Sequence, residues 1–354
     1  MALRGIVTSD WHLNGMAKIF RNPTEKQIAE IHKPYRYAAE HGISHVFVPG
    51  DMSDVPRMDE HTLISIITLL LTYDGHIHTY YQLGNHDVAH TTKTSMDVLK
   101  VLADSGFFKT FHLFYQPTLK KIDGINCCFM PFPHNQVLEA PKPPLVFAHI
   151  EVAGAIGDNG RPLKHGDDEK FKRQAGDFIF SGHIHQQQFL RSKRFAYCGS
   201  LYQKNFGEAL PKGFLDFTAK YVNGGKLSVH HEFVNSHPDF TLETKLIESS
   251  DDWDTLTHDE NIRYKILTGE GVIVPKNIMR DFPNIIYLMG AAKSVKVNME
   301  QEEGERSAEL TIRDLPKFNI TTGLKRYLKE SEMNDPQVKR AKSLVREARA
   351  ALGI

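Results

Sequence analysis

Seven side chains able to ligate metal stand just beyond short apolar runs. Asp10 and His12 follow Leu3 to Thr8, and Asp51 follows Val46 to Pro49. Asn85 follows Ile77 to Leu83, His149 follows Leu145 to Ala148, and His183 and His185 follow Phe178 to Ser181. The donors are imidazole, carboxylate and one amide oxygen, with no thiolate, a mixture that suits manganese, iron or zinc better than calcium. Asp10 and His12 are two residues apart, as are His183 and His185. In an extended segment that spacing puts both members of a pair on one side. Asp51 has two carboxylate oxygens and lies between the other groups in chain order, which makes it the natural bridge between two ions. Two divalent ions about 3.5 to 4 Å apart would clamp a phosphoryl group, lower the pKa of a water between them and stabilise charge on the attacking and leaving oxygens. The chemistry expected is hydrolysis of a phosphate ester.

A blander account must be weighed. A single His or Asp at a strand end is usually a cap or a hydrogen-bonded loop residue, and 14 of the 19 histidines lie outside these motifs. His76 and His78 share the spacing of His183 and His185, but they precede a strand and read as ordinary strand side chains. Five ordered motifs, however, are poorly explained by coincidence.

Each apolar run has the length of a buried strand, so the ligands would be delivered at strand ends, where open sheets build their sites. Between the runs the pattern turns helical. Ile28, Ile31, Tyr35 and Ala38 mark a helix over 24–41 that Pro34 should kink or split. Further helices are expected over 58–72 and 96–105. Short strands then crowd together at 111–115, 119–122, 126–130 and 145–148, which implies a second sheet. Gly154, Gly157 and Gly160 fit no nucleotide fingerprint, so 152–164 reads as a plain flexible loop. From about residue 235 the strands at 227–234, 242–247, 264–268 and 285–297 continue without another His or Asp motif, as in a small α/β cap. A charged linker (300–320) and a helical tail (321–354) follow. In the tail, Val338, Ala341, Leu344, Val345, Ala348, Ala351 and Leu352 share one helical face. Nine Lys/Arg stand against four Asp/Glu over 317–354. Such a helix either packs on its own domain or docks a partner.

Lys+Arg and Asp+Glu balance at 43 each, so global charge argues neither for nor against nucleic acid. The three cysteines have no metal-type spacing and read as buried reduced thiols of a cytoplasmic protein. The first residues run straight into a strand, with no basic segment leading to an apolar leader region. The longest apolar stretch, 63–71, is far shorter than the roughly 20 residues of a membrane span.

At these motifs the sequence resembles the calcineurin-like metallophosphoesterases, whose pattern runs D-x-H, G-D-x-x-D, G-N-H-D/E, H and G-H-x-H. The resemblance implies a two-sheet β-sandwich core flanked by helices. It also implies a first metal on Asp10, His12, Asp51 and His185 and a second on Asp51, Asn85, His149 and His183. His86 would be the acid/base group, oriented by Asp87. Asp10-Trp11-His12-Leu13 looks like the opening of the SbcD-type DNA repair nucleases, and Gly199-Ser200-Leu201, Asn205-Phe206-Gly207-Glu208 and Lys212-Gly213-Phe214 are similar to later stretches of that family. Asn14 and Cys198 depart from it, standing where Gly and Pro are usual.

By that resemblance, residues 1–234 form the nuclease domain, 235–299 a DNA-binding cap and 321–354 helices that dock an SbcC-type coiled-coil ATPase. The protein would be a homodimeric, manganese-dependent nuclease, with magnesium the second choice of metal, and would have no membrane association. Duplex-end 3′ to 5′ exonuclease and single-strand endonuclease activities are implied. The alternative is a small-molecule phosphodiesterase or phosphatase of the same superfamily.

Overall fold

The computed structural model describes residues 2–88, 94–134, 137–167 and 172–290. The helical tail, the linker and the end of the predicted 285–297 strand lie outside the described residues.

The chain divides into two compact units, Met1–Leu242 and Glu243–Ile354. In the first, β1 (Ala2–Val7), α1 (Pro23–Glu40), β2 (His45–Pro49), α2 (Glu60–Tyr73), β3 (His78–Gln82), α3 (Ser95–Asp104) and β4 (Phe111–Phe114) alternate. Strands β1 to β4 lie parallel and adjacent. Then come β5 (Thr118–Ile122), β6 (Ile125–Met130), β7 (Leu145–His149), β8 (Phe178–Gly182), β9 (Gln188–Leu190), β10 (Phe195–Tyr197), β11 (Gly213–Val222) and β12 (Lys226–Asn235). Two six-stranded sheets result, ordered β12-β11-β1-β2-β3-β4 and β5-β6-β7-β8-β10-β9. The second sheet inferred from sequence is therefore present, and the first gains β11 and β12 from the far end of the domain.

The sheets bury one face against each other. Leu3, Val7, Phe47 and Phe217 of one sheet join Cys127, Phe129, Phe147 and Phe180 of the other in a single apolar layer, and the rings of Phe47 and Phe147 stack with centroids 4.3 Å apart. Strands β2, β7 and β8 are buried on every residue, as expected of strands covered on both faces. All three cysteines are buried and free.

Helix α1 runs on through Pro34 rather than splitting, because Gln27, Glu30, Ile31, Pro34, Tyr35 and Ala38 are all buried and packing outweighs the lost backbone bond. Capping is regular elsewhere: Asp59 accepts from Thr62 N, and Thr94 with Asp97 forms a capping box. The expected flexible loop 152–164 is a hydrogen-bonded hairpin. Leu163 N donates to Ala155 O and Gly157 N to Arg161 O, while Val152 and Ala155 join the apolar layer outside the second sheet.

The unit boundary falls after Leu242, later than the 234/235 break read from sequence. Residues past β12 remain tied to the first unit: Ser236 Oγ donates to Leu201 O and Gln203 Nε2 to Leu242 O, and the Phe240 ring packs on Phe20 and Tyr202. In the second unit, β13 (Thr241–Ile247), β14 (Ile262–Thr268) and β15 (Ile285–Gly290) form a three-stranded sheet, with the short α4 (Ile278–Asp281). Trp253, Tyr264, Ile266 and Ile278 belong to its core. Among the described residues, no helix is long and apolar enough to cross a membrane.

Candidate metal centre

The loops beyond β1, β2, β3, β7 and β8 meet at one end of the sandwich. Their approach is backbone to backbone. A Cβ on Gly84 would strike the carboxylate and amide nitrogen of Asp51, so only glycine fits between β2 and β3 there. Asp10, His12, Asp51 and His183 have φ of 56°, 43°, 56° and 88°. Left-handed backbone at four non-glycine residues in one cluster is costly, and such outliers collect at functional sites.

Two groups of acceptor atoms result. In the first, His12 Nε2 and His185 Nε2 are 3.0 Å apart, and His12 Nε2 lies 3.9 Å from Asp10 Oδ1 and 3.7 Å from Asp51 Oδ2. The outward nitrogens are both engaged: His12 Nδ1 is 3.0 Å from Asp54 Oδ1, and His185 Nδ1 is 3.0 Å from Glu208 Oε1. Glu208 accepts from His185 Nδ1, which keeps the proton there and leaves the His185 Nε2 lone pair facing His12 Nε2.

In the second group, Asn85 Oδ1 lies 2.9 Å from His149 Nε2 and 3.0 Å from His183 Nδ1, and Asp51 Oδ2 is 3.2 Å from His149 Nε2. Here too the outer edges are occupied. His149 Nδ1 donates to Pro49 O at 2.8 Å, and His183 Nε2 is 3.2 Å from Glu151 Oε1. Asp51 Oδ2 belongs to both groups.

Imidazole nitrogens, carboxylates and an amide oxygen that converge this closely, His12 Nε2 and His185 Nε2 being 3.0 Å apart, suit a cation between them. The donor set therefore fits a pair of divalent ions. Among the described residues, four clusters could hold one: Asp10/His12/His185, His12/Asp51/His86, Asp10/Asp51/His149 and Asp158/His185/Glu208. Without metal, protons take this role. Burial alone would lower the His149 imidazole, but the charge and hydrogen bond of Asp51 carry it up to about 9. Asp51, opposed by burial, is held well below the usual carboxylate range by His149, His12 and His86.

His86 sits at the rim, its ring edge-on to His12 with centroids 4.8 Å apart. Its Nδ1 donates to Asp54 O at 2.9 Å, which leaves Nε2 as the ring nitrogen not held by that bond. The sequence expectation that Asp87 orients His86 needs correction. Asp87 is fully buried and accepts from Gly84 N at 2.8 Å, Asp51 N at 2.9 Å, Ser53 N at 3.2 Å and the Tyr81 hydroxyl. It latches the β2 and β3 loops together, and Asp54 is the group beside His86.

Sequence reasoning assigned no role to Asp54, Glu151, Asp158 or Lys204, and placed Glu208 and Lys212 only by resemblance. Lys204 Nζ pairs with Asp54 and lies 3.3 Å from His12 Nδ1. Asp158 accepts from His185 N at 2.9 Å. Asp54 stands in the motif itself, three residues after Asp51; nothing local in the sequence points to the others.

The sequence matches no protein-family profile and no curated protein. Among solved structures it is similar to GAP50, the anchor in the inner membrane complex of Plasmodium, at 13% identity and TM-score 0.41, covering 83% of this chain and 98% of that one. A protein of Streptococcus pneumoniae described as a predicted phosphoesterase matches at 14% identity and TM-score 0.27, over 66% of this chain and 99% of that one. Vacuolar Protein Sorting 29 of Cryptosporidium parvum matches at 12% identity and TM-score 0.30, over 66% of this chain and 98% of that one. Likenesses of this degree carry no argument about activity, which rests instead on the site.

Proposed function

We propose that this chain is a metal-dependent phosphodiesterase of the calcineurin-like type, acting on DNA in the manner of the SbcD-type nucleases. The observation that carries the hydrolase reading is the convergence of seven acceptor side chains from five strand ends, with Asp51 Oδ2 common to both groups. Asp10, His12, Asp51 and His185 would hold one ion, and Asp51, Asn85, His149 and His183 the other. Two bound divalent ions, manganese by preference, would supply the positive charge that activates water and stabilises the phosphoryl oxygens. His86, anchored through Nδ1 on Asp54 O, presents Nε2 to donate a proton to the departing sugar oxygen.

The DNA reading is supported by the sequence stretches at 10–13 and 199–214, the small second unit and the basic tail. In this reading the protein is a homodimer that cuts duplex ends 3′ to 5′ and single strands internally, and residues 321–354 dock an SbcC-type coiled-coil ATPase. Duplex affinity would come mainly from counterion release at local phosphate contacts, so it should fall steeply with salt, and the dependence measured with and without the ATPase partner tests whether this chain binds duplex alone.

Purified protein loaded with manganese is tested on end-labelled linear duplex, single-stranded circles and a chromogenic phosphodiester. Shortened duplex and nicked circles are expected. Cleavage of the chromogen alone would replace the nuclease with a small-molecule phosphodiesterase, and no cleavage despite bound manganese would overturn the hydrolase.

A further inference from the structure

We propose that Glu208, held in place by Lys212, is the positioning residue that fixes His185 for metal binding, an inference that rests on the two-metal reading above. Glu208 and Lys212 are 6% and 2% exposed, and Lys212 Nζ lies 2.7 Å from Glu208 Oε2. Burying such a pair costs several kcal/mol per ion before attraction repays it, so bulk stability alone is a weak reason for it.

Its geometry gives a better one. Glu208 Oε1 is 3.0 Å from His185 Nδ1, and Lys212 Nζ donates to His185 O at 3.0 Å and to Ser200 Oγ at 3.1 Å. One ion pair thus grips one histidine by ring and by backbone. The carboxylate keeps the proton on Nδ1 and the lone pair on Nε2, 3.0 Å from His12 Nε2. Asp158 also reaches Nδ1, at 3.2 Å, but its side chain is 34% exposed, so the buried anchor is Glu208. A metal ion among Asp158, His185 and Glu208 would have to displace Lys212 and Asn205, which already donate to Glu208.

The decisive variants separate hydrogen bonding from charge. In Glu208→Gln, Lys212 draws the amide oxygen and the amide NH2 turns to His185 Nδ1. That drives the ring proton to Nε2, and manganese affinity at one of two sites should fall at least tenfold, as for other second-layer changes. Adding Lys212→Met frees the amide to present its oxygen, and affinity should return to within about threefold of wild type on the same scale. Glu208→Leu with Lys212→Met, of equal charge, should stay weak. Manganese titration followed by electron paramagnetic resonance reads all three, and nitrogen-15 histidine spectra of the metal-free proteins should show Nδ1 protonated only where affinity is kept. Equal affinity in the two double variants would overturn the inference. So would a Glu208→Gln protein that binds like wild type, a result that does not depend on the leucine variant folding. A wild-type protein binding fewer than two ions would instead overturn the two-metal reading.

Discussion

Asp51 and Asp87 are buried carboxylates with opposite tasks, and substitution should separate them. Asp51 turns one oxygen toward His12 and His149, whereas Asp87 spends both on three backbone N–H groups and the Tyr81 hydroxyl. Removing an acceptor strands buried donors at about 1 to 3 kcal/mol each. Asp87→Ala should therefore lower unfolding free energy by several kcal/mol in denaturant titrations, while a residue that only tuned His86 would leave stability unmoved. His86 is the reverse case. It is partly exposed and holds its ring through one bond to Asp54 O. Replacing it by Ser should cut hydrolysis by about 10² to 10⁴, the usual worth of acid/base catalysis, with metal content unchanged by elemental analysis. Activity within twofold of wild type would remove His86 from the reaction.

The elements were read from sequence where one segment's pattern decides its fate, and misread where distant segments do. Apolar runs such as 145–148 and 178–181 are continuous because both faces of β7 and β8 are covered, and their motifs fell at strand ends as expected. Pro34 was misjudged because the burial that carries α1 through it comes from tertiary neighbours. The two compact units divide after Leu242, past the break at 234/235 read from sequence, because Ser236 and Phe240 bind back to residues with no local signature of contact. Glu208 and Lys212 reach His185 from the loop between β10 and β11, a meeting that spacing along the chain does not announce. Gly84 shows how tightly the elements are set. A methyl there would meet Asp51 N at 2.5 Å and Cγ at 2.8 Å, and such overpacking costs about 1 to 3 kcal/mol. Gly84→Ala should weaken manganese binding in calorimetry and lower the melting temperature together, since the displaced group is Asp51.

The first unit carries its acceptor cluster at one end of the parallel strands and a row of histidines at the other. His45 and His78 pair across β2 and β3, and the rings of His78 and His112 stack with centroids 5.6 Å apart. At the acceptor end ions bind the native state alone, so manganese at 100 times its Kd should add about 2.7 kcal/mol of stability per site and chelator should remove it. A melting temperature indifferent to both would mean that nothing binds the native state there. At the histidine end folding excludes a proton. Burial first, then Lys120, His78 and His45, bring His112 down to about 4 from an ordinary 6.5. Between those values the unfolded chain binds more protons than the native one, so this contribution to stability is intact above pH 6.5 and is lost as pH falls toward 4. The difference in unfolding free energy between wild type and His112→Gln, measured in chelator so that the metal end is silent, should be constant above pH 7 and move in favour of the variant from pH 6.5 downward. A difference flat across that window would place the His112 proton outside the folding equilibrium.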